Sequence, residues 1–327
     1  MRMLLRAWVP VLLALVLAGC ASRSQDVLVL RLAHALGPTH SAHRAMVYLG
    51  ERLEEKSGGT IRVVVYPSQQ LGSERELLEL LQIGSLAMAK VSAAVLEGFV
   101  PEYQVFSLPY LFRDDTHRFK VLEGPIGQEL LLAGERVLLR GLCYYDAGSR
   151  SFYTVTRPIY TPDDLRGLKI RTLESPTQIQ MVNLMGASAT PIPWGEVFTA
   201  LQQGIVDGAE NNPPSFYLSH HYEVARFYTL DEHTSIPDVL LISLHVWNRL
   251  TPQQRQWVQE AAMESAQYQK QLWKESTEEA LRAVQEAGVE IIYPDKQPFV
   301  EKVQPIYEQY RDRPELNRLI ARIKAVE

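Results

Sequence analysis

Arg171 closes the run Leu168-Lys169-Ile170-Arg171, whose period-2 alternation is that of a short strand. Ser175 and Pro176 follow as the N-cap and first position of a helix. A guanidinium at a strand end can be a surface charge, a structural ion pair, or a two-pronged donor to a carboxylate. Arg150 in "DAGSR" and Asn211 in "VDGAEN" stand at comparable positions. His34 follows the first strand, Glu74 opens the helix after the second, and Ser92 follows the third. In an α/β sheet such strand ends converge on one crevice. Two arginines and an amide opposite a histidine, a carboxylate and a hydroxyl suit a small acid that also bears hydroxyls. Trp194, behind Pro191 and Pro193, offers either an apolar cover for a ring or ordinary core packing.

Other chemistries find less support. His34, His40 and His43 are close in sequence, and His220 and His221 are adjacent. Zinc wants three or four convergent ligands, and no cysteine completes such a set. A zinc receptor is therefore the weaker alternative, and neither a metal nor a cofactor is expected. No G-x-S-x-G elbow, P-loop or G-x-G-x-x-G is present, and the paired carboxylates at 54–55 and 163–164 fall on exposed helix positions. The expectation is a binding protein rather than an enzyme. The formal charge of -5, with no basic block, argues against nucleic acid.

The 327 residues, 46% hydrophobic, supply about two domains with full cores. Arg2 and Arg6 precede an apolar run at 7–18, too short to span a membrane. That run ends in Leu17-Ala18-Gly19-Cys20, which looks like a bacterial lipobox. Residues 1–19 then read as a signal peptide, Cys20 as a lipidated first residue, and 20–26 as a leash. The expected location is extracytoplasmic, tethered to a membrane without spanning it. Cys143, alone in an apolar strand, reads as a buried small hydrophobe.

Strand and helix alternate from 27 to 91, including a capping box at Ser73 and Glu76, which predicts a parallel α/β sheet. The pattern restarts near 138, with strands expected at 139–145, 151–156, 168–171 and 206–210. A strand at 237–244 returns to the first lobe. A helix at 251–287, about 50 Å long at ~1.5 Å per residue, exceeds one domain and backs both lobes. The expected fold is α/β: a two-lobed clamshell, type II-like among periplasmic binding proteins. The first lobe takes 27–146 with about 236–270, the second 147–235 with about 271–327.

The ordered motifs "TPDDLRGLKIR" and "GASATPIPWGEVFTALQQGIVDGAENNPPS", supported by "YPSQQLGSERELLELLQIGSLAM" and "SLPYLF", resemble the solute receptors of TRAP (tripartite ATP-independent periplasmic) transporters. The resemblance runs over about 27–310. It implies Arg171 as carboxylate anchor, Arg150 as second basic contact, Asn211 as amide donor and Trp194 as aromatic lid. Ser92 and Val95 stand where sialic-acid members carry a glutamate and an arginine, which argues against sialic acid. The segments "THSAHRAM", "YYDAGSRSFYT" and "DEHTSIPDVL" are similar to the branch that takes hexuronates. Glu74, His34, Ser92, Asn211 and His233 would then meet hydroxyls; another hydroxy- or keto-acid is the alternative. The implied partners are membrane subunits driven by a sodium gradient.

Overall fold

The structure, a computed structural model, describes residues 27–327; the expected signal peptide, Cys20 and the leash lie outside the described residues. The first lobe opens with β1 (Leu28–Ala33), helix α1 (Ser41–Lys56), β2 (Ile61–Tyr66), α2 (Glu74–Gln82), β3 (Met88–Ser92) and the single turn α3 (Ala93–Leu96). Helix α1 buries Ala42, Ala45, Met46, Leu49 and Leu53, the i, i+3, i+4 stripe that docks a helix on a sheet. At α2 the Ser73 and Glu76 capping box forms as the spacing predicts, each satisfying a backbone N–H of the other's segment.

Helices α4 (Asp115–Glu123) and α5 (Pro125–Ala133) lead to β4 (Leu139–Tyr145), after which the chain crosses to the second lobe. That lobe comprises β5 (Arg150–Thr154), β6 (Lys169–Thr172), α6 (Pro176–Leu184), β7 (Ser188–Pro191), α7 (Val197–Gln202), β8 (Gly208–Asn211), α8 (Pro213–Leu218) and β9 (Phe227–Thr234). The chain then returns with β10 (Asp238–Ser243) and α9 (Leu244–Arg249), and runs along α10 (Pro252–Glu286). It ends with β11 (Glu290–Ile292), α11 (Gln297–Gln309) and α12 (Pro314–Lys324).

The first sheet has strand order β2-β1-β3-β10-β4, with β1, β2 and β3 parallel and β10 antiparallel to both neighbours. All six residues of β10 are buried, as its continuous apolar run requires of a central strand. The second sheet has order β11-β9-β5-β8-β6-β7. Strands β7 and β9 were not expected from the sequence. Pro191 argues against a central strand, and β7 forms as an edge, where a missing N–H is tolerated. In β9 the run Asp231-Glu232-His233 hides the strand signal.

Helix α10 joins the lobes. Val258, Ala261 and Ala262 lie in the first lobe's core and Val284 in the second's. Between them, buried Ser265 bonds Tyr145 Oη at 2.9 Å. Buried Gln269 clasps the crossing chain, accepting from Asp146 N–H and donating to Asp146 C=O, each at 2.8 Å. Gly148, at φ 56°, lets the crossing turn under Trp273, whose ring a Cβ would meet at 3.1 Å. Gln269→Ala leaves two backbone groups of the crossing without partners. We expect it to lower unfolding stability by about 2–3 kcal/mol in urea titration; a loss below about 0.5 kcal/mol would mean that the clasp is not holding the crossing.

One placement differs from expectation. Residues 271–327 were assigned to the second lobe, and α11 does bury Phe299, Val303 and Ile306 beside second-lobe Ile170 and Met181. The chain then reverses at Pro314, and α12 lies against the first lobe. His117 Nε2–H donates to Ile323 O at 2.9 Å, Arg113 to Lys324 O at 2.9 Å, and Arg322 pairs with Glu129 at 2.6 Å. The cause is its apolar stripe of Leu316, Leu319, Ile320 and Ile323, which joins the cluster around Val100 and Tyr103. Cys143 is buried and free, and burial raises its thiol pKa.

Candidate ligand-binding site

The two sheets face each other across a crevice at the ends of β3, β6 and β8 and the beginnings of β5 and β10. It encloses about 650 Å³ of atom-free space, its mouth included, lined from both lobes.

Arg171 enters from the second lobe. Its strand fixes the backbone, and Nε donates to Ile192 O at 2.8 Å. The guanidinium sits 5.6 Å from the Trp194 ring and is 1% exposed. Its Nη1 is buried with no partner among the described residues, and no carboxylate pairs with it. Burial pulls its pKa down, opposed by the field of Glu210. A buried cation without a counter-ion is costly unless something supplies the charge.

Arg150 also lines the crevice, but its charge is already met. Nε and Nη2 grip the two carboxylate oxygens of buried Glu210, Nη2 reaches Glu210 O at 2.8 Å, and Nη1 donates to Asn211 Oδ1 at 2.9 Å. Burial pushes the Glu210 carboxyl up, yet Arg150 and His233 outweigh it and hold it at about 2. Because Asn211 Oδ1 accepts from Arg150 and from Asn212 N–H, its amide NH₂ is the end left to donate.

The charged part of the first-lobe wall is formed by Glu74, Lys90 and Asp238, with Ser92 beside them. Lys90 Nζ lies 3.2 Å from Glu74 Oε1 and 3.0 Å from Asp238 Oδ1, and Glu74 Oε2 accepts from Ser92 N–H at 3.1 Å. Burial lowers the Lys90 pKa, and the two carboxylates more than restore it. Sequence reasoning placed Glu74 and Ser92 here and missed Lys90 and Asp238. The missed signal was a charge inside a wholly buried strand, since β3 and β10 read as apolar runs.

Two expected contacts lie elsewhere. His34 is buried outside the crevice lining: Nδ1 accepts from Leu36 N–H at 3.2 Å, so Nε2–H faces His43 Nδ1 at 3.0 Å. The histidine in the crevice is His40, N-cap of α1, whose Nδ1 accepts from Ala42 N–H and whose Nε2 lies 3.5 Å from Ser215 Oγ. His233 lies behind the second-lobe wall, outside the lining, 2.8 Å from Asp231 and 3.6 Å from Glu210. Trp194 lines the crevice, and so does Trp273 of α10, which sequence reasoning did not single out. Among the described residues, no three His, Cys, Asp or Glu groups converge to hold a metal.

The lobes also touch across the mouth, where Gly195 N–H donates to Gln69 Oε1 at 2.9 Å. A Cβ on Gly195 would stand 2.0 Å from that oxygen, so a side chain here would push the Gln69 amide aside.

The buried histidines contribute to the pH dependence near neutrality. Burial opposes the His233 charge, but Asp231 and Glu210 raise its pKa to about 9. A raised folded pKa stabilises fully below the unfolded value near 6.5 and less as pH climbs toward 9. Burial, aided by neighbouring cations, lowers His34 to about 2, and His40 and His221 to about 3. Those groups stabilise above about 6.5 and lose their contribution as pH falls. We therefore expect the melting temperature to peak near pH 6.5. His233→Asn should flatten the alkaline limb only; a melting temperature constant from about pH 6.5 to 9 would contradict it.

Residues 32–313 match the profile of the bacterial extracellular solute-binding proteins, family 7. The chain is similar to a TRAP periplasmic solute-binding protein of Xanthobacter autotrophicus with bound β-D-galacturonate. That match is 42% identical, covers 91% of this chain and 100% of that one, and has a TM-score of 0.89. A TRAP solute-binding protein of Chromohalobacter salexigens with bound D-glucuronate matches at 34% identity and TM-score 0.89, covering 91% and 100%. The 2,3-diketo-L-gulonate-binding periplasmic protein of Escherichia coli is 30% identical over 85% of this chain and 86% of its own length.

Proposed function

The chain belongs to the bacterial extracellular solute-binding proteins of family 7, and from that premise we propose that it is the TRAP receptor for a hexuronate such as D-galacturonate or D-glucuronate. The observation that carries this reading is the buried Arg171 guanidinium, unpaired among the described residues while Arg150 is matched by Glu210. Arg171 takes the ligand carboxylate through charge-assisted hydrogen bonds. Arg150 and the Asn211 amide donate alongside it without supplying further net charge. Glu74, Asp238 and Ser92 receive hydroxyls, and His40 replaces His34 as the imidazole at the crevice. Trp194 covers an apolar face of the ring.

Binding and lobe closure are one equilibrium, because the ligand contacts both walls only when they approach. The Gln69 and Gly195 hydrogen bond belongs to the closed arrangement. The family is one of solute-binding receptors, and on this reading the acid leaves unaltered. Delivery to sodium-coupled membrane subunits and tethering through lipidated Cys20 complete the proposal. The lipid is checked by mass spectrometry of protein from its native host, where an unmodified Cys20 would remove the anchor.

A thermal-shift panel of hexuronates, keto acids, C4 dicarboxylates and zinc tests the ligand class. At a concentration about 100 times Kd, a true ligand stabilises by about 2.7 kcal/mol. We expect one or both hexuronates to raise the melting temperature and to be recovered unchanged, with zinc and chelator inert. A shift with a keto acid alone would transfer the role to the alternative substrate class.

A further inference from the structure

We propose that the first-lobe wall of Glu74, Lys90 and Asp238 restricts the receptor to acids with a single carboxylate and turns away sugar acids oxidised at both ends. This rests on the hexuronate reading and adds a charge rule to it.

The two walls differ in which charges are left unmatched. On the second lobe, Arg171 is unmatched and Arg150 is neutralised by Glu210. On the first lobe, one ammonium is shared by two carboxylates at 3.2 and 3.0 Å, leaving one net negative charge. All three side chains are at most 12% exposed, so water screens them little. One carboxylate oxygen of Glu74 and one of Asp238 contact Lys90, and the second oxygen of Glu74 accepts from Ser92 N–H. The remaining lone pairs of both groups are acceptors beside the crevice. Acceptors suit the O–H groups of a sugar and repel a second carboxylate.

A dianion held by Arg171 would place its other end near this wall with no unmatched cation to meet it. Lys90 could meet it only by releasing Glu74 or Asp238 as a buried, unpaired carboxylate. Exclusion of this kind is specificity by repulsion rather than by added contacts. The Arg150 and Glu210 pair has the same consequence, since it leaves Arg171 as the cation available to a carboxylate, and Glu174, which also lines the crevice, adds a further negative charge.

The test is calorimetry with D-galacturonate and D-galactarate, which differ at one end of the chain. Wild type should bind galactarate at least about tenfold more weakly than galacturonate. Glu74→Gln and Asp238→Asn each leave Lys90 with one carboxylate and a neutral wall. In each, galactarate affinity should rise at least about fivefold in absolute terms while galacturonate affinity does not rise. Equal wild-type affinities for the two acids would overturn the charge rule and leave the hexuronate reading standing. Parallel weakening of both acids in both variants would also overturn it, because the wall would then be structural. If wild type binds D-glucuronate but not D-galacturonate, the same comparison is made with D-glucarate; if it binds neither hexuronate, the hexuronate reading and this inference fall together.

Discussion

Arg171→Met should lower hexuronate affinity about a hundredfold or more while leaving the unliganded protein as stable as before, or more so. The two halves of this expectation share one cause. In the closed, unliganded arrangement the guanidinium is buried, its Nη1 has no partner among the described residues, and burial already depresses its pKa. Methionine keeps much of the side-chain volume and removes that cost, at the expense of one hydrogen bond to Ile192 O. In the complex, the lost interaction is a charge-assisted pair worth about 3 kcal/mol, which is about a hundredfold in Kd. Calorimetry and unliganded melting curves on the same protein check both halves. A variant that melts well below wild type and still binds normally would make Arg171 a structural residue.

Glu210→Gln should have the largest effect on folding. Its carboxylate accepts from Arg150 Nε and Nη2 and lies 3.6 Å from His233 Nε2, all of it buried. Glutamine leaves a buried guanidinium without its counter-charge and weakens the support for charged His233. Breaking one partner of a buried pair costs about 3–5 kcal/mol. That is a large part of the 5–15 kcal/mol by which a typical domain is stable. Urea unfolding should show it as a lower midpoint with an unchanged slope. A loss under about 1 kcal/mol would mean that Arg150 re-pairs elsewhere.

The difference between Arg150 and Arg171 was invisible in the sequence. Both stand at strand ends, and both were expected to meet the acid. Only the pairing of β5 with β8, which sets Phe152 opposite Glu210, brings Glu210 within reach of Arg150. Glu210 precedes Asn211 by one residue, yet it serves as the arginine's counter-ion rather than as a face of the crevice. His34 and His40 separate for a similar reason. His34 N–H still bonds Tyr66 O, so the sheet pairing carries past the end of β1 and His34 lies outside the crevice lining. His40 caps α1, whose start faces the other lobe.

Local signals fared better. The capping box at Ser73, the Ser175 N-cap, the start of the long helix at 251 and the β4 run all appear where the residue patterns predict. They depend on neighbours within a few residues, which a sequence displays directly. The reversal that sends α12 back to the first lobe depends on what its apolar stripe meets, and a sequence does not show that. The long α10 is intermediate: its length was legible, and its clasp on Asp146 through Gln269 was not.

The central claim is that Arg171 holds the ligand's carboxylate. Its most direct test is the affinity of wild type and Arg171→Met for D-galacturonate and D-galactose, which differ by a carboxylate in place of a hydroxymethyl group. Wild type should prefer the acid by about a hundredfold or more, and Arg171→Met should erase most of that preference by losing the acid alone. A wild type that binds the two sugars alike, or a variant that keeps the full preference, would contradict it.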